Sequence, residues 1–365
     1  MSSVQYSNIP SNVTSKLHKN KHNDPTSPIC LMKHRIYHYF DNVLKVPFDK
    51  FDSLDSIVDI ENNFDLLLIP KTHPSRSKSD TYYVSDTHVL RTQTSAHQNE
   101  LLAKGHESFL VCGDVYRKDE IDRFHYPVFH QMEGVMLCDD PEPKLKEVLV
   151  GLVNYLFPEK PHRISDDYFP FTNPSFEIEV WNGEKWVEIL GCGVIQPAIL
   201  EHNKIEKTGW AFGIGIERLC MILYDIPDIR LFWTTDDKFI DQFKGKTCLD
   251  EIKFVPYSNI PPLIKDISFW LNTDDVEKTT DDFIWKLTND FYDCVRTVCD
   301  NNIEKVELLD HFHHPKKDRY SNTWRFTFSC TDPKIKNRDE YNDMCNAQML
   351  HIRDTLIASL GLEIR

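Results

Sequence analysis

TQTSAHQNELLAKGHESFLVCGDVYRKDEIDRFHYPVFHQMEG, residues 92–134, holds two strand-like runs joined by a charged turn. The first run, residues 108–116, ends in Arg117. The second, residues 126–137, carries Phe129, Gln131 and Glu133 on one face, because side chains alternate along a strand. An arginine at the end of one hairpin strand then faces a ring and two polar side chains on the other. That geometry suits holding a nucleotide and a small charged molecule together. A distant partner, FGIGIERL at residues 212–219, reads as a glycine-flexible strand running into a helix, with Arg218 at the junction.

The rest of the chain bounds what this stretch can do. A length of 365 residues implies roughly two domains with material for a real core. The net charge of −15 argues against general electrostatic affinity for nucleic acid, so an RNA contact must use local basic patches. Ten cysteines without a CxxC pair suggest reduced, buried thiols rather than a disulfide framework or a zinc site. No run approaches about 18 apolar residues, which speaks against a membrane span.

In chain order, residues 1–28 read as an N-terminal extension. The first 23 contain no Asp or Glu but include Lys16, Lys19 and Lys21, as in an organelle presequence remnant or a disordered polar arm. Residues 29–43 have helical periodicity, residues 63–70 read as a buried strand, and THPSR (72–76) as its turn. FPFTNPS (169–175) sets two phenylalanines two apart, hence on one strand face. FEIEVWNGEKWVEIL reads as a hairpin around Asn182-Gly183. The small residues of the following GCGVIQP would let the backbone approach a ligand. Residues 236–253 are polar and lysine-bearing, a linker in this reading. From residue 254 onward come a strand (263–271), an amphipathic helix (280–299), two strands (303–312 and 323–330), a last helix and an edge strand. That βαββαβ order is the ferredoxin-like one.

With these motifs in hand, the chain resembles the mitochondrial, single-chain phenylalanyl-tRNA synthetases, a family of class II aminoacyl-tRNA synthetases. VYRKD, HYPVF and HQMEG are similar to the second class II signature, and GIGIER to the third. TSAHQ, FPFTNPS, GWAFGIGIERL and YDIPDIRLFW resemble patterns of the phenylalanine enzymes. The resemblance implies an α+β fold: an antiparallel class II sheet flanked by helices over residues 29–235. The linker and an anticodon-binding ferredoxin-like domain (254–365) would follow. It also implies a monomer of the mitochondrial matrix.

By the same resemblance, ATP is held by Arg117, Asp119, His125, Phe129 and Arg218. Arg117 would contact the α-phosphate and the phenylalanine carboxylate, and His125 the γ-phosphate. Phe129 and Arg218 would stack on the two faces of adenine, with Asp119 near its amino group. Arginine suits this task because its forked donors stay charged at any working pH. The phenylalanine ammonium falls to Gln131 and Glu133, joined by Ser95 and Gln98. Phe169 and Phe171 would pack on the substrate ring, and Ala211 would floor the pocket. Mg²⁺ would bridge the ATP phosphates, with Glu177 or Glu188 holding it. One departure stands out: Gln93 occupies a position where many relatives carry histidine.

The partner implied is tRNA(Phe). Residues 254–365 contain 14 Lys/Arg against 19 Asp/Glu, a net −5, unusual for an RNA binder. The basic candidates are Lys316, Lys317 and Arg319, then Lys334, Lys336 and Arg338. An apolar pocket cannot strongly reject an isostere that merely adds a hydroxyl, and nothing in the chain has room for an editing domain, so no editing is expected. Two other classes compete. A synthetase-derived RNA binder without catalysis is disfavoured by the retained arginines, His125 and Glu133. A ligase with a non-tRNA acceptor would have no use for the C-terminal domain.

Overall fold

The computed structural model describes residues 8–256, 260–279, 282–299, 302–330, 335 and 337–365. Its larger sheet contains β1 (Asp49–Phe51), β2 (Ser108–Tyr116), β3 (Val128–Leu137), β4 (His162–Asp167), β5 (Thr172–Trp181), β6 (Trp186–Ile195) and β7 (Gly209–Gly215). The spatial order is β1-β2-β3-β7-β6-β5-β4. Every pairing is antiparallel except β1 with β2. The hairpin read from residues 92–134 is present: β2 pairs β3 with Val111 opposite Glu133, Gly113 opposite Gln131 and Val115 opposite Phe129.

Helices cover the back of this sheet. α1 (Pro28–His38) starts where Ser27 accepts the Ile29 N–H and proline occupies the first turn, where its missing donor costs nothing. Ile29, Met32, Ile36 and Phe40 recur every three or four residues, and all are fully buried. Each contributes about 1.5–3 kcal/mol of burial. α2 (Pro141–Leu156) buries Leu145, Val148, Leu149, Leu152, Val153 and Leu156 completely. α3 (Ile216–Tyr224) follows β7 directly and ends at Asp225 in the left-handed region (φ 57°).

The second sheet contains β8 (Leu263–Trp270), β9 (Ile303–His314), β10 (Arg319–Phe328) and β11 (Glu363–Ile364), in the order β9-β10-β8-β11. α4 (Thr288–Cys299) and α5 (Arg338–Leu360) complete the βαββαβ succession. Phe269, Phe291, Phe326, Phe328, Tyr341 and Ile352 form a separate, fully buried core there.

Several sequence expectations need correction. Residues 63–70 are not a strand. Asn63 ends a short helix, Asp65–Leu67 is a 3-10 turn, and Leu68 sits at φ 58°. Phe64, Leu67 and Ile69 are buried while Leu68 is exposed, so an apolar run that reads as extended backbone is a turn with most of its side chains inward. The hairpin turn spans residues 182–185 rather than two residues, with Asn182 N–H donating to the Lys185 carbonyl. The helix expected over 280–299 begins at Thr288, because Phe283–Trp285 pairs as a short strand with Val276–Lys278; residues 280 and 281 lie outside the described residues.

The two ends assigned to the catalytic domain also shift. Residues 8–28 are not a free arm: Val13 is fully buried, and the His22 Nε2 lies 2.9 Å from the Asp52 carbonyl. Residues 236–253 are not a free linker either. Phe239, Phe243 and Ile252 belong to the first core, and Phe254 packs on it. The segment joining the two cores therefore starts at Val255.

The domains touch through α4 and the β2–β3 connection. Arg296 donates to the carbonyls of Asp119 (2.7 Å) and Glu120 (2.5 Å). Lys118 pairs with Asp290 at 2.8 Å, Tyr82 donates to Asp293 at 2.8 Å, and Val306 N–H reaches the Ile121 carbonyl. Ile121 itself is buried in the second core.

Candidate active site

A cavity of about 560 Å³ opens over the β2, β3, β6 and β7 face. Arg117, Gln131, Glu133, Ser95, Phe169, Phe171, Ala211 and Glu188 line it together with Gln93. Side chains from four separate sequence stretches thus converge, as the sequence reading expected. Phe129, His125, Asp119, Arg218, Gln98 and Glu177 do not line the cavity. The first and fourth adjoin it through lining residues: the Arg117 guanidinium lies 5.6 Å from the Phe129 ring centre, and Arg218 donates to the Glu188 carbonyl at 2.9 Å.

The loop carrying Ser95 and Gln98 is held from behind by a buried network. Arg91 donates through Nη2 to Asp114 (2.9 Å) and through Nη1 to His97 Nε2 (2.9 Å). The other His97 nitrogen then faces Glu100 at 3.0 Å. Asn63 accepts the Thr92 N–H, and Arg117 Nε donates to the Thr92 carbonyl at 2.7 Å. Arg117 consequently keeps its two terminal nitrogens for a ligand. Water reaches it through the cavity mouth, but protein rings it. Burial pulls its pKa below the ordinary arginine value, Arg218 adding repulsion while Asp119 and Glu188 offset part of the effect.

Glu133 is 1% exposed, and its Oε2 has no partner among the described residues. Burial pushes its pKa up to about 8, with the Ser95 hydroxyl pulling the other way. Gln98 is fully buried, and neither end of its amide has a partner among the described residues. Buried polar groups left open in this way carry a real cost, and a donor on a ligand in the cavity would remove the part that falls on Glu133, which lines it.

The aromatic wall differs in origin from the sequence reading. Phe169 and Phe171 do not share a strand face, since β5 begins only at Thr172. Their rings stack at 5.8 Å and 14° in the turn before it. Gly191 makes this possible: a Cβ there would come within 2.7 Å of the Phe169 ring. Its smallness therefore makes room for that ring in the wall of the cavity, which Gly191 itself also lines.

His125 is gripped by Asp122, which lies 2.9 Å from Nδ1 and accepts the His125 main-chain N–H at 2.7 Å. That bond raises the imidazole pKa, burial opposes it, and Asp119 and Glu120 add to the rise. Asp122 was missed from the sequence, although its place three residues before His125 on one loop was a usable signal. The raised pKa extends upward the pH range over which the imidazole is a cation, which suits a phosphate. Its stabilising contribution is complete below the unfolded pKa and disappears as pH climbs through the raised folded one. The KM for ATP should rise over that upper range, and Asp122→Asn should move the onset to lower pH. Identical pH profiles for wild type and variant would disprove this role of Asp122.

For a divalent cation, Glu177 and Glu188 fit. Burial raises the Glu177 pKa first, and Glu188 is its largest charged neighbour, ahead of Glu179 and Asp167. Mutually repelling carboxylates beside a cavity are what such an ion relieves. Also missed from sequence were Tyr168, 77% exposed at the cavity mouth, and Lys118 and Thr92 in its wall.

Of the basic candidates in the second domain, Lys316 and Lys317 are exposed in the turn before β10. Arg319 lies within β10, its guanidinium 4.6 Å from the Trp270 ring centre and paired with Glu363 at 2.6 Å. Arg338 opens α5, while Lys334 and Lys336 lie outside the described residues.

Residues 12–243 match the family model described as tRNA synthetases class II core domain (F). The chain is similar to the chloroplastic/mitochondrial phenylalanine–tRNA ligase of Arabidopsis thaliana, with 43% identity covering 98% of this chain and 82% of that protein. It is similar to the mitochondrial phenylalanine–tRNA ligase of Mus musculus, with 40% identity covering 99% and 86%. The mitochondrial phenylalanine–tRNA ligase of Saccharomyces cerevisiae is 31% identical, covering 92% and 88%.

Proposed function

The chain belongs to the class II tRNA synthetases, in the phenylalanine–tRNA ligase family, and from that membership we propose that it charges tRNA(Phe) in the mitochondrial matrix. The observation that carries the reading is one cavity joining Arg117, the buried Glu133 carboxyl, whose Oε2 has no partner among the described residues, and the Phe169–Phe171 wall. The mitochondrial names of its relatives support the location. A single-chain monomer is part of the proposal.

The reaction runs in two steps. The phenylalanine carboxylate attacks the α-phosphorus of ATP in line, pyrophosphate leaves, and a phenylalanyl-adenylate forms. The 2′-hydroxyl of the terminal tRNA adenosine then attacks the carbonyl carbon, and AMP departs. Such chemistry needs positioning and charge stabilisation more than covalent help. Glu133, with Gln131, Ser95 and Gln98, holds the ammonium. Arg117 spans carboxylate and α-phosphate. Phe129 and Arg218 enclose adenine, with Asp119 at its amino group, and His125 meets the γ-phosphate. Glu177 and Glu188 would hold Mg²⁺, which supplies charge neutralisation on the phosphates. Lys316, Lys317 and Arg319 are the proposed tRNA contacts, since phosphate neutralisation needs only a local patch.

The deciding assay is ATP–pyrophosphate exchange with phenylalanine, tyrosine or no amino acid, followed by charging of mitochondrial tRNA(Phe). Phenylalanine-dependent exchange with charging is expected, and added Tyr-tRNA should survive incubation, because no editing is proposed. Exchange indifferent to phenylalanine would overturn the reading, and exchange without charging would favour a non-tRNA acceptor.

Because the anticodon and acceptor ends of tRNA lie far apart, we further propose that the second domain swings about the segment after Val255, releasing the α4 contacts. Asn289 donates to the Ser79 carbonyl at 2.9 Å, so a disulfide between S79C and N289C should lock the docked state. The locked protein should retain exchange and lose charging, both returning to normal on reduction. Unchanged charging while locked would refute the swing.

A further inference from the structure

Between Phe129 and Gln131, His130 points to the opposite face of β3 and is fully buried. The strand beside it runs out at this level. Gln131 opposite Gly215 is the last β3–β7 pair, and the chain turns into α3 at Ile216. The His130 N–H therefore has no strand carbonyl to meet. Glu217, in the first turn of α3, supplies the acceptor: Oε2 takes that N–H at 2.8 Å, and Oε1 lies 2.7 Å from the imidazole Nδ1. A carboxylate offers only acceptors, so Nδ1 carries the proton. One buried side chain thus satisfies both donors of one residue. The imidazole is fixed further by Trp233, stacked at 5.8 Å and 24°, whose Nε1 donates to the Val128 carbonyl at 3.0 Å. The His22 ring sits 5.4 Å away.

The consequence lies in the neighbours. His130 follows Phe129, and Glu217 precedes Arg218. We infer that the His130–Glu217 pair is a positioning device that sets the spacing between Phe129 and Arg218, the two plates proposed to enclose adenine. The inference rests on that reading of the nucleotide site. Neither residue touches the nucleotide; each acts through its neighbour. The carboxylate ties the first turn of α3 to β3 where the sheet hydrogen bonds stop, adding a directional bond to the apolar packing of α3 and to the β3–β7 ladder below.

The test is a split between the two substrates. Glu217→Gln keeps the shape and the main-chain acceptor but leaves, in place of the charge-assisted bond, at best a neutral one from the amide N–H₂ to the other tautomer of the imidazole. Losing a buried, charge-assisted bond should raise the KM for ATP in the exchange assay roughly tenfold or more. The affinity for phenylalanine without ATP should stay within about twofold, because Glu133 and Ser95 bind at the other end. His130→Asn and the double variant should match the single one, since both remove one interaction. An unchanged KM for ATP, or equal losses for both substrates, would overturn the pairing as a positioning device. If Glu217→Gln does not fold, His130→Ala, which leaves Glu217 the main-chain N–H, decides by the same split. Wild type lacking phenylalanine-dependent exchange would sink the site reading itself, a failure distinct from that of the pair.

Discussion

Arg117→Ala should lower phenylalanine-dependent ATP–pyrophosphate exchange by roughly a thousandfold, the scale on which preorganised charge at a phosphoryl centre contributes. The fold should hardly notice. Among the described residues Arg117 makes one hydrogen bond, Nε to the Thr92 carbonyl, and its guanidinium stands beside Phe129, attracted by Asp119 and Glu188 and repelled by Arg218. Losing the attraction of Asp119 and Glu188 is offset by relief of the desolvation and of the Arg218 repulsion, so the unfolding midpoint should stay nearly level. Arg117→Lys is the informative companion. A lysine keeps the charge but loses the fork that can span two oxyanions, so activity should fall between the wild type and the alanine variant. Alanine activity above a tenth of wild type would remove Arg117 from the chemistry. A large drop in unfolding midpoint would instead assign it to the fold.

How far the sequence reached can be judged from the same residues. The register of β3 was legible because alternation is a strict period of two, and it assigned Phe129, Gln131 and Glu133 to one face correctly. The βαββαβ order was legible for a related reason: its first five elements are long enough to show their own period, and only the two-residue last strand, Glu363–Ile364, is not. Residues 63–70 failed because an apolar run without alternation fits strand and buried turn equally. Residues 236–253 failed differently. Their many charges suggested solvent, yet Phe239, Phe243 and Ile252, three apolar residues within a polar composition, anchor the segment in the core. Composition averages over the residues that decide. In the site, single roles were legible and couplings were not. Arg91 behind the Ser95 loop and Glu217 behind His130 are hydrogen-bond partners defined only in three dimensions, whereas Asp122, three residues before His125, was within reach of the sequence.

Glu133 provides the largest linked effect of pH and ligand. With its pKa near 8, the carboxyl of the free protein is mostly protonated at pH 7, whereas an ammonium partner requires the carboxylate. Phenylalanine binding at pH 7 should therefore release close to one proton, read as a dependence of the calorimetric enthalpy on the ionisation enthalpy of the buffer. Stability follows the same linkage. The group ionises near 4.5 when unfolded and near 8 when folded. Between those values the folded state holds more protons, and stability falls as pH rises, by up to about 1.4 kcal/mol per unit. Below 4.5 the contribution is complete; above 8 it is gone. Glu133→Gln removes this slope without removing the shape. Other carboxyls titrate in both proteins, so the difference between variant and wild type isolates Glu133. That difference should favour the variant increasingly from pH 5 to 8, while phenylalanine activation falls roughly a hundredfold or more for want of the counter-charge. Added phenylalanine should restore the stability of wild type at pH 8 and leave the variant unmoved. An enthalpy independent of buffer, or a variant less stable than wild type at pH 8, would mean that Glu133 is ionised in the free protein and has a cationic partner within the protein.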